Sequence, residues 1–321
     1  MMKSVTKGWM AAIGVGLLWG SEGALATLPL QTIDARLLVW LRYMMAFFVL
    51  SLVLIFSAML HKKTQSKPKL AFSWANRSEL FKLLVCGVVG QGLFSFLSFL
   101  SLDYISLSEN GVIQGLVPIA ILAIGQLFYG ARFTRMQIVS SGIALVGVTM
   151  LVLAPPFTSQ DRGVNIGHLI CLLSVLSFAS VTHLRAQLAE KYGATCTMQY
   201  QFGFAAVGFF IYLLVSGIDV PSLLLVIRPS WSLLCIIVLG GFVSGLGYIA
   251  YIYGIERVGV EGSSMALNLI PMSAFFIAVL VFGEPITPFR ALAVGLIIVA
   301  MTLFAASNKS REMTSKTVLT N

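Results

Sequence analysis

The sequence predicts an all-α integral membrane protein of ten transmembrane helices, arranged as two inverted five-helix repeats. Three observations lead there. Hydrophobic residues make up 58% of the chain and charged residues 10%, with a mean hydropathy of +0.93, whereas a soluble domain carries about 25% charged residues. Apolar runs of roughly 20 residues, enough for a helix to cross a bilayer, recur along all 321 residues. The third observation is internal repetition at an offset of 153 residues. Leu107–Ala154 aligns without a gap on Val260–Ser307, so that Pro118 meets Pro271, Gly130 meets Gly283, Thr134 meets Thr287 and Gly142 meets Gly295. Nine identities in 48 positions is a low score, so the argument rests on their placement: a Pro inside one span, and a Gly and a Thr framing the break that follows it. Val85, Gly87, Gly92 and Leu93 extend the match backwards onto Val238, Gly240, Gly245 and Leu246. Repetition between halves is a mark of membrane transporters.

Taken in order, the spans are about 8–28, 36–60, 80–101, 108–129, 135–154, 166–184, 197–216, 231–253, 261–282 and 287–306. Each is an apolar run bounded by charged or turn-forming residues. The first follows Lys3 and Lys7 and carries Ala24-Leu25-Ala26, which fits a signal-peptide cleavage pattern. It is read as a retained span, because its removal would unbalance five plus five. The first repeat is therefore 8–154 and the second 166–306, with 307–321 a short cytoplasmic tail. The loop 61–79 is rich in Lys and has no apolar periodicity, as expected of a solvated connector.

Orientation follows from the basic residues. With the N-terminus inside, 16 of the 21 Lys and Arg residues fall on the cytoplasmic side and only Arg36, Arg42, Arg162, Arg228 and Arg290 outside. Both termini are thus expected in the cytoplasm. Five spans is an odd number, so the second repeat enters from the opposite face. The break at 130–134 then faces inward and that at 283–287 outward.

The formal charge of +9 comes from loops between apolar spans, so it does not indicate nucleic-acid binding. Cys86, Cys171, Cys196 and Cys235 have no CxxC or metal-ligand spacing and read as small apolar packing residues. No GxxxxGK[ST], HExxH or GxSxG motif occurs, which argues against an ATP-driven module, a zinc protease and a serine hydrolase. No cofactor and no metal are expected. The expected partners are a small-molecule substrate and the lipid bilayer.

The first span reads LLWGSEGALA, the second LLVWLRYMMAFFVL, and the fourth and ninth end in FYGARFT and VFGEPIT. In this order, with ten spans in two halves, the chain resembles the drug/metabolite transporter superfamily, in its EamA branch. Glu284 matches the acidic residue that the family places after the Gly of the break, while Ala131 and Glu22 depart from the family pattern. The resemblance implies a bacterial inner-membrane carrier of small metabolites, often an exporter, and does not specify the metabolite.

Polar residues inside spans are the candidates for function. Glu22 lies about 20 Å along the first helix at 1.5 Å per residue. It is read either as a proton-coupling or cation-recognising carboxylate, or as the structural partner of Arg42. Arg42 is expected near the outer surface, where it can snorkel. Arg185 is expected as an interface anchor, and His183 beside it as a packing residue. Asn110 and Gln114 lie four apart on one helical face. With Asn268, Gln91 and Tyr248 they are candidates for a polar cavity lining or for interhelical glue. Trp19, Phe94, Tyr248, Tyr251 and Phe275 are candidate cavity walls. Pro118 and Pro271 each remove a backbone donor and are candidate hinges. A lipid-handling flippase or scaffold of the same fold, and less readily an intramembrane enzyme, are the competing functions.

Overall fold

The computed structural model describes residues 2–61, 76–129, 134–153, 166–217, 231–267, 269–285, 287–289, 291–300, 302–303 and 307. The described residues are helical apart from short turns and joints. Seven helices are long and apolar enough to cross a membrane, and Leu269–Phe282 and 291–300 are shorter apolar helices. The protein is thus a helical, multi-pass membrane protein. Large apolar side chains such as Leu127, Phe128, Val215, Leu280 and Val281 stand on its outer surface, where acyl chains would cover them.

The elements are α1 (Met2–Gly20), α2 (Glu22–Leu30), α3 (Ala35–His61), α4 (Arg77–Gly87), α5 (Phe94–Ser101), α6 (Leu107–Gln114), α7 (Val117–Tyr129) and α8 (Arg135–Leu153). They continue with α9 (Ile166–Tyr192), α10 (Ala194–Val215), α11 (Trp231–Ile237), α12 (Gly247–Ala266), α13 (Leu269–Phe282) and α14 (291–300). Two π-helical stretches, Val88–Leu93 and Val238–Leu246, join α4 to α5 and α11 to α12. Both are Gly-rich, and under the offset of 153 residues the first falls on the C-terminal part of the second, 241–246. Local π-helix often accompanies a functional site.

Several spans expected to be continuous are broken, and the prolines explain two breaks. The nitrogen of Pro118 cannot donate to the carbonyl of Gln114, and its ring crowds that carbonyl. The helix accordingly ends at Gln114 and restarts at Val117, with Pro118 in the first turn of α7. Pro271 stands in the same relation to Leu267: α12 ends at Ala266 and α13 starts at Leu269. The discontinuity therefore lies one turn before each proline. Pro is well accommodated in a first helical turn, where no donor is required. The first span also breaks, at Ser21 between α1 and α2. Gly259, at a φ of 82°, turns the chain between the eighth and ninth spans.

The halves pack by exchange of equivalent elements. α3 and α10 lie against each other. α3 also contacts the second π-stretch, and α10 contacts the first. Gly87 and Gly240, equivalent under the offset, make these approaches possible. A Cβ on Gly87 would overlap the carbonyl oxygen of Gln201, and one on Gly240 would overlap that of Arg42. Each half thus drives a glycine of its third span onto the backbone of the other half's second span, beside a buried polar side chain. Such small-residue contacts let membrane helices pack closely.

Candidate functional site

Three features meet at the centre: a cleft, a paired arginine and a second arginine without a carboxylate. The cleft is bordered by α1, α2, α5, α6, the start of α7, α9 and α13. Its walls are Trp19, Glu22, Phe94, Ser98, Asn110, Gln114 and Phe178, with Leu107, Val117, Leu267, Ile270 and Ala274 completing them. Both halves contribute. The cavity volume is about 510 Å³, the open mouth included.

Asn110 and Gln114 share one face of α6, as their spacing requires. The Asn110 amide donates to the Ser98 carbonyl at 3.0 Å and to Ser101 Oγ at 2.8 Å. The Gln114 amide donates to Ser174 Oγ at 2.8 Å and to Ser98 Oγ at 3.1 Å. Both therefore line the cleft and also tie α6 to its neighbours. Trp19 donates from Nε1 to the Val243 carbonyl at 3.1 Å, inside the second π-stretch. Its ring lies 4.6 Å from Tyr248, 5.1 Å from Tyr251 and 6.0 Å from Phe178. Phe94 packs on Phe178 at 5.1 Å. Trp19, Phe94 and Phe178 form the cleft wall, and Tyr248 and Tyr251 stand behind Trp19, fully buried.

Glu22 opens α2, immediately after the break in the first span, and its side chain is 12% exposed. It forms a bidentate pair with Arg42 of α3: Nη1 bonds Oε1, and Nη2 bonds Oε2 at 2.9 Å. Arg42 Nε donates to Ser244 Oγ at 2.5 Å, and Nη1 to Ser95 Oγ at 3.2 Å. The guanidinium also lies over the rings of Tyr43 and Phe99 at 5.4 and 5.5 Å. This corrects the expectation that Arg42 reaches outward to the interface. It is wholly buried, because a carboxylate and two hydroxyls inside the bundle satisfy it better than a headgroup could.

Arg185 is corrected in the same sense. It was expected as an interface anchor, yet none of it is exposed. α9 does not end at the apolar boundary near 184 but runs on to Tyr192, which carries Arg185 into the core. Nε donates to Gln201 Oε1 at 3.1 Å, and Nη2 to the Gly90 carbonyl at 3.3 Å. The rings of Phe178 and Tyr248 lie 4.9 and 5.6 Å from the guanidinium carbon. Nη1 has no hydrogen-bond partner among the described residues.

Gln91 does not line the cleft. Its carbonyl accepts from Tyr43 Oη at 2.9 Å, and Tyr43 also bonds Ser95 at 2.5 Å. Asn268 lies outside the described residues. Phe275 packs on Phe276 beside a small satellite cluster, away from the cleft. His183 Nε2 bonds the Ile121 carbonyl at 3.1 Å, in keeping with a packing role. His168 is buried, with Nε2 3.8 Å from Glu109 Oε1.

Glu284, in the break after the ninth span, acts across the halves. Its carboxylate accepts from Leu107 N at 3.0 Å and from Ser108 Oγ at 2.5 Å. It thus caps the start of α6, where helical N–H groups lack partners and the dipole favours an anion. Ser106 and Glu109 complete the end as a capping box.

Comparison with known proteins bears on what this arrangement belongs to. The chain is 24% identical over 271 residues to the uncharacterized transporter YyaM of Bacillus subtilis, covering 84% of this chain and 83% of that protein. An uncharacterized transporter of Clostridium kluyveri is 22% identical, over 72% of this chain and 74% of its own. Adenosine 3'-phospho 5'-phosphosulfate transporter 2 of Caenorhabditis briggsae is 21% identical over 67% of this chain and 60% of that protein. A crystal structure with 19% identity superposes with a TM-score of 0.64, covering 98% of this chain and 99% of its own, which establishes the shared fold. The sequence model of the EamA-like transporter family matches twice, at residues 6–153 and 165–306. With nearly the whole chain so matched, this protein belongs to the EamA-like transporter family, within the drug/metabolite transporter superfamily.

Proposed function

We propose that the protein is a secondary carrier that moves a small organic solute across the bacterial inner membrane, with net export as the working direction. Its ten spans form two inverted halves, 8–154 and 166–306, with both termini in the cytoplasm, and access to a central site alternates between the two faces. One observation carries this reading: a cleft with amide, hydroxyl and carboxylate groups at membrane depth, walled by elements of both halves. Polar groups there are costly unless they serve a pathway or a partner. The crossed packing of Gly87 on Gln201 and Gly240 on Arg42 supports the inverted arrangement. The relative named as a transporter of adenosine 3'-phospho 5'-phosphosulfate supports an organic solute as cargo. A flippase is disfavoured because no Lys or Arg is among the described residues that line the cleft.

Proton coupling, the finer part of this reading, falls to Glu22. In the conformation seen here Glu22 is engaged by Arg42 through both carboxylate oxygens, so coupling would require a conformation in which the pair is open.

Two experiments test the reading. Metabolite profiling of medium from cells with and without the protein should show a small solute that accumulates only with it, and an unchanged profile of medium and cytoplasm would remove the carrier. Its cargo, reconstituted with wild type and Glu22→Gln in vesicles, should exchange through both proteins. Only wild type should be accelerated by an imposed pH gradient. A wild type indifferent to the gradient would end the coupling role and leave Glu22 as the counter-charge of Arg42. A C-terminal tag that reports an external location would exclude the odd-numbered inverted repeat.

A further inference from the structure

We propose that Arg185 is the docking point for a monoanionic, carboxylate-bearing solute, in a second site one aromatic ring deeper than the cleft. The inference rests on the carrier reading and adds the charge class of the cargo. The argument begins with charge. Arg42 is balanced by Glu22. Arg185 is equally buried, and its hydrogen bonds go only to neutral groups, the Gln201 side chain and the Gly90 carbonyl. The inner centre therefore carries about one uncompensated positive charge, which the interior tolerates poorly.

The second observation is a surplus of donors. Arg185 Nη1 and Gln201 Nε2 are both buried and have no acceptor among the described residues. Buried donors are almost always satisfied. An unpartnered guanidinium nitrogen, and the unpartnered amide of the glutamine bonded to the same guanidinium, call for a ligand that accepts several hydrogen bonds and brings one negative charge. A carboxylate does both, and its two oxygens match the fork of a guanidinium. A phosphate at neutral pH brings about −1.5 to −2 and would exchange one unbalanced charge for another.

The route is short. Phe178 is a wall of the cleft and also covers the Arg185 guanidinium at 4.9 Å. Phe178 is thus the side chain that stands between the cleft and Arg185. Gly90 secures the far side: a Cβ there would stand 2.9 Å from Arg185 Nη2 and overlap Val181. Because Gly90 sits in the first π-stretch, the site is built on the irregular backbone that distinguishes the third span.

The test uses the full chain in detergent, with benzoate and its neutral amide benzamide as a matched pair, and acetate and sulfate beside them. Trp19 packs on Phe178 and Tyr248, so a solute that displaces Phe178 should change tryptophan fluorescence. Benzoate or acetate should bind saturably, and benzamide at least tenfold more weakly. Arg185→Gln should weaken the carboxylate at least tenfold while leaving benzamide unchanged. Without ligand, Arg185→Gln should melt no lower than wild type, because it removes an unbalanced charge; a purely structural arginine would lower the midpoint. Gln201→Leu is the second variant, should Arg185→Gln not fold, and should weaken the carboxylate while retaining preference for it over the amide. Equal binding of benzoate and benzamide, no carboxylate binding by wild type, or undiminished binding by Arg185→Gln would each overturn the proposal. Tighter binding of sulfate than of either carboxylate would overturn its carboxylate assignment. None of these results depends on transport, so a carrier of neutral solutes would still stand as a carrier.

Discussion

The two halves each join their first span to their second through an arginine, but they do it with different chemistry. In the first half Glu22 of α2 meets Arg42 of α3. In the second, Arg185 of α9 meets Gln201 of α10. Both arginines cross over to the third span of the opposite half: Arg42 reaches Ser244 in the second π-stretch, and Arg185 reaches Gly90 in the first. The frame is repeated while the charge is not. One centre is neutral and closed on itself, whereas the other holds a cation with amide partners only. The two arginines stand in different spans of their halves, Arg42 in the second and Arg185 in the first, so similar joints are reached with a lock in one half and an open valence in the other.

The largest expected effect separates locking from open valence. Glu22→Ala strands Arg42 and should cost about 3–5 kcal/mol, read as a fall in the thermal midpoint of the purified protein. Adding Arg42→Gln should restore much of it, since both charges are then gone. A Glu22→Ala protein as stable as wild type would mean that Arg42 does not depend on its carboxylate, and the contrast with Arg185 would collapse.

An intermediate effect probes the shared frame. Gly87→Ala and Gly240→Ala each push a methyl into the other half's backbone, and overpacking of this kind costs about 1–3 kcal/mol. Similar losses at both positions would sharpen the equivalence. A loss at one alone would show that the halves pack differently where they cross.

The smallest effect comes from a pair outside the spans. Asp34 accepts from Arg36 N and Nε, both at 2.7 Å. The Arg36 side chain, chiefly by that hydrogen bond, holds the Asp34 carboxyl below its ordinary value. A depressed folded-state value stabilises above the unfolded one, near 3.9, and the contribution fades as pH falls through the folded value. Asp34→Asn should therefore melt slightly lower than wild type at neutral pH and converge with it in acid. The pair is partly exposed, so the shift should be small beside that of Glu22→Ala. A shift of equal size would erase the distinction between buried and surface pairing. Asp103 nearby runs the other way: burial, and then the charge of Asp34, raise its carboxyl, so its ionisation opposes folding as pH rises.

Much of the architecture was legible because membrane burial writes itself into composition. Apolar runs bounded by charge locate helices regardless of their neighbours, and Gly and Pro at a fixed offset announced the repetition that reappears in the paired π-stretches. Trp19, Glu22, Phe94, Asn110 and Gln114, all singled out from sequence, do border one cleft. Phe178 was missed because an aromatic residue in an aromatic-rich chain carries no signal of its own. Gln91, Tyr248 and Tyr251 were placed in the same cavity but stand behind its wall, because the period of a helix names a face without naming what the face meets.

The charges show the limit most clearly. By itself the sequence determined that Glu22 and Arg42 lie in apolar spans and that Arg185 lies near the end of one, since these are properties of neighbours along the chain. It could not decide which arginine would be neutralised. That depends on the break at Ser21, which puts Glu22 at the head of α2 within reach of α3, and on the continuation of α9 past the apolar boundary, which buries Arg185. Both are consequences of packing between distant segments, where the energy of a charge is set by its nearest groups in space. Only the tertiary structure, by bringing a carboxylate to one guanidinium and amides to the other, made one arginine a clasp and left the other with donors to spare.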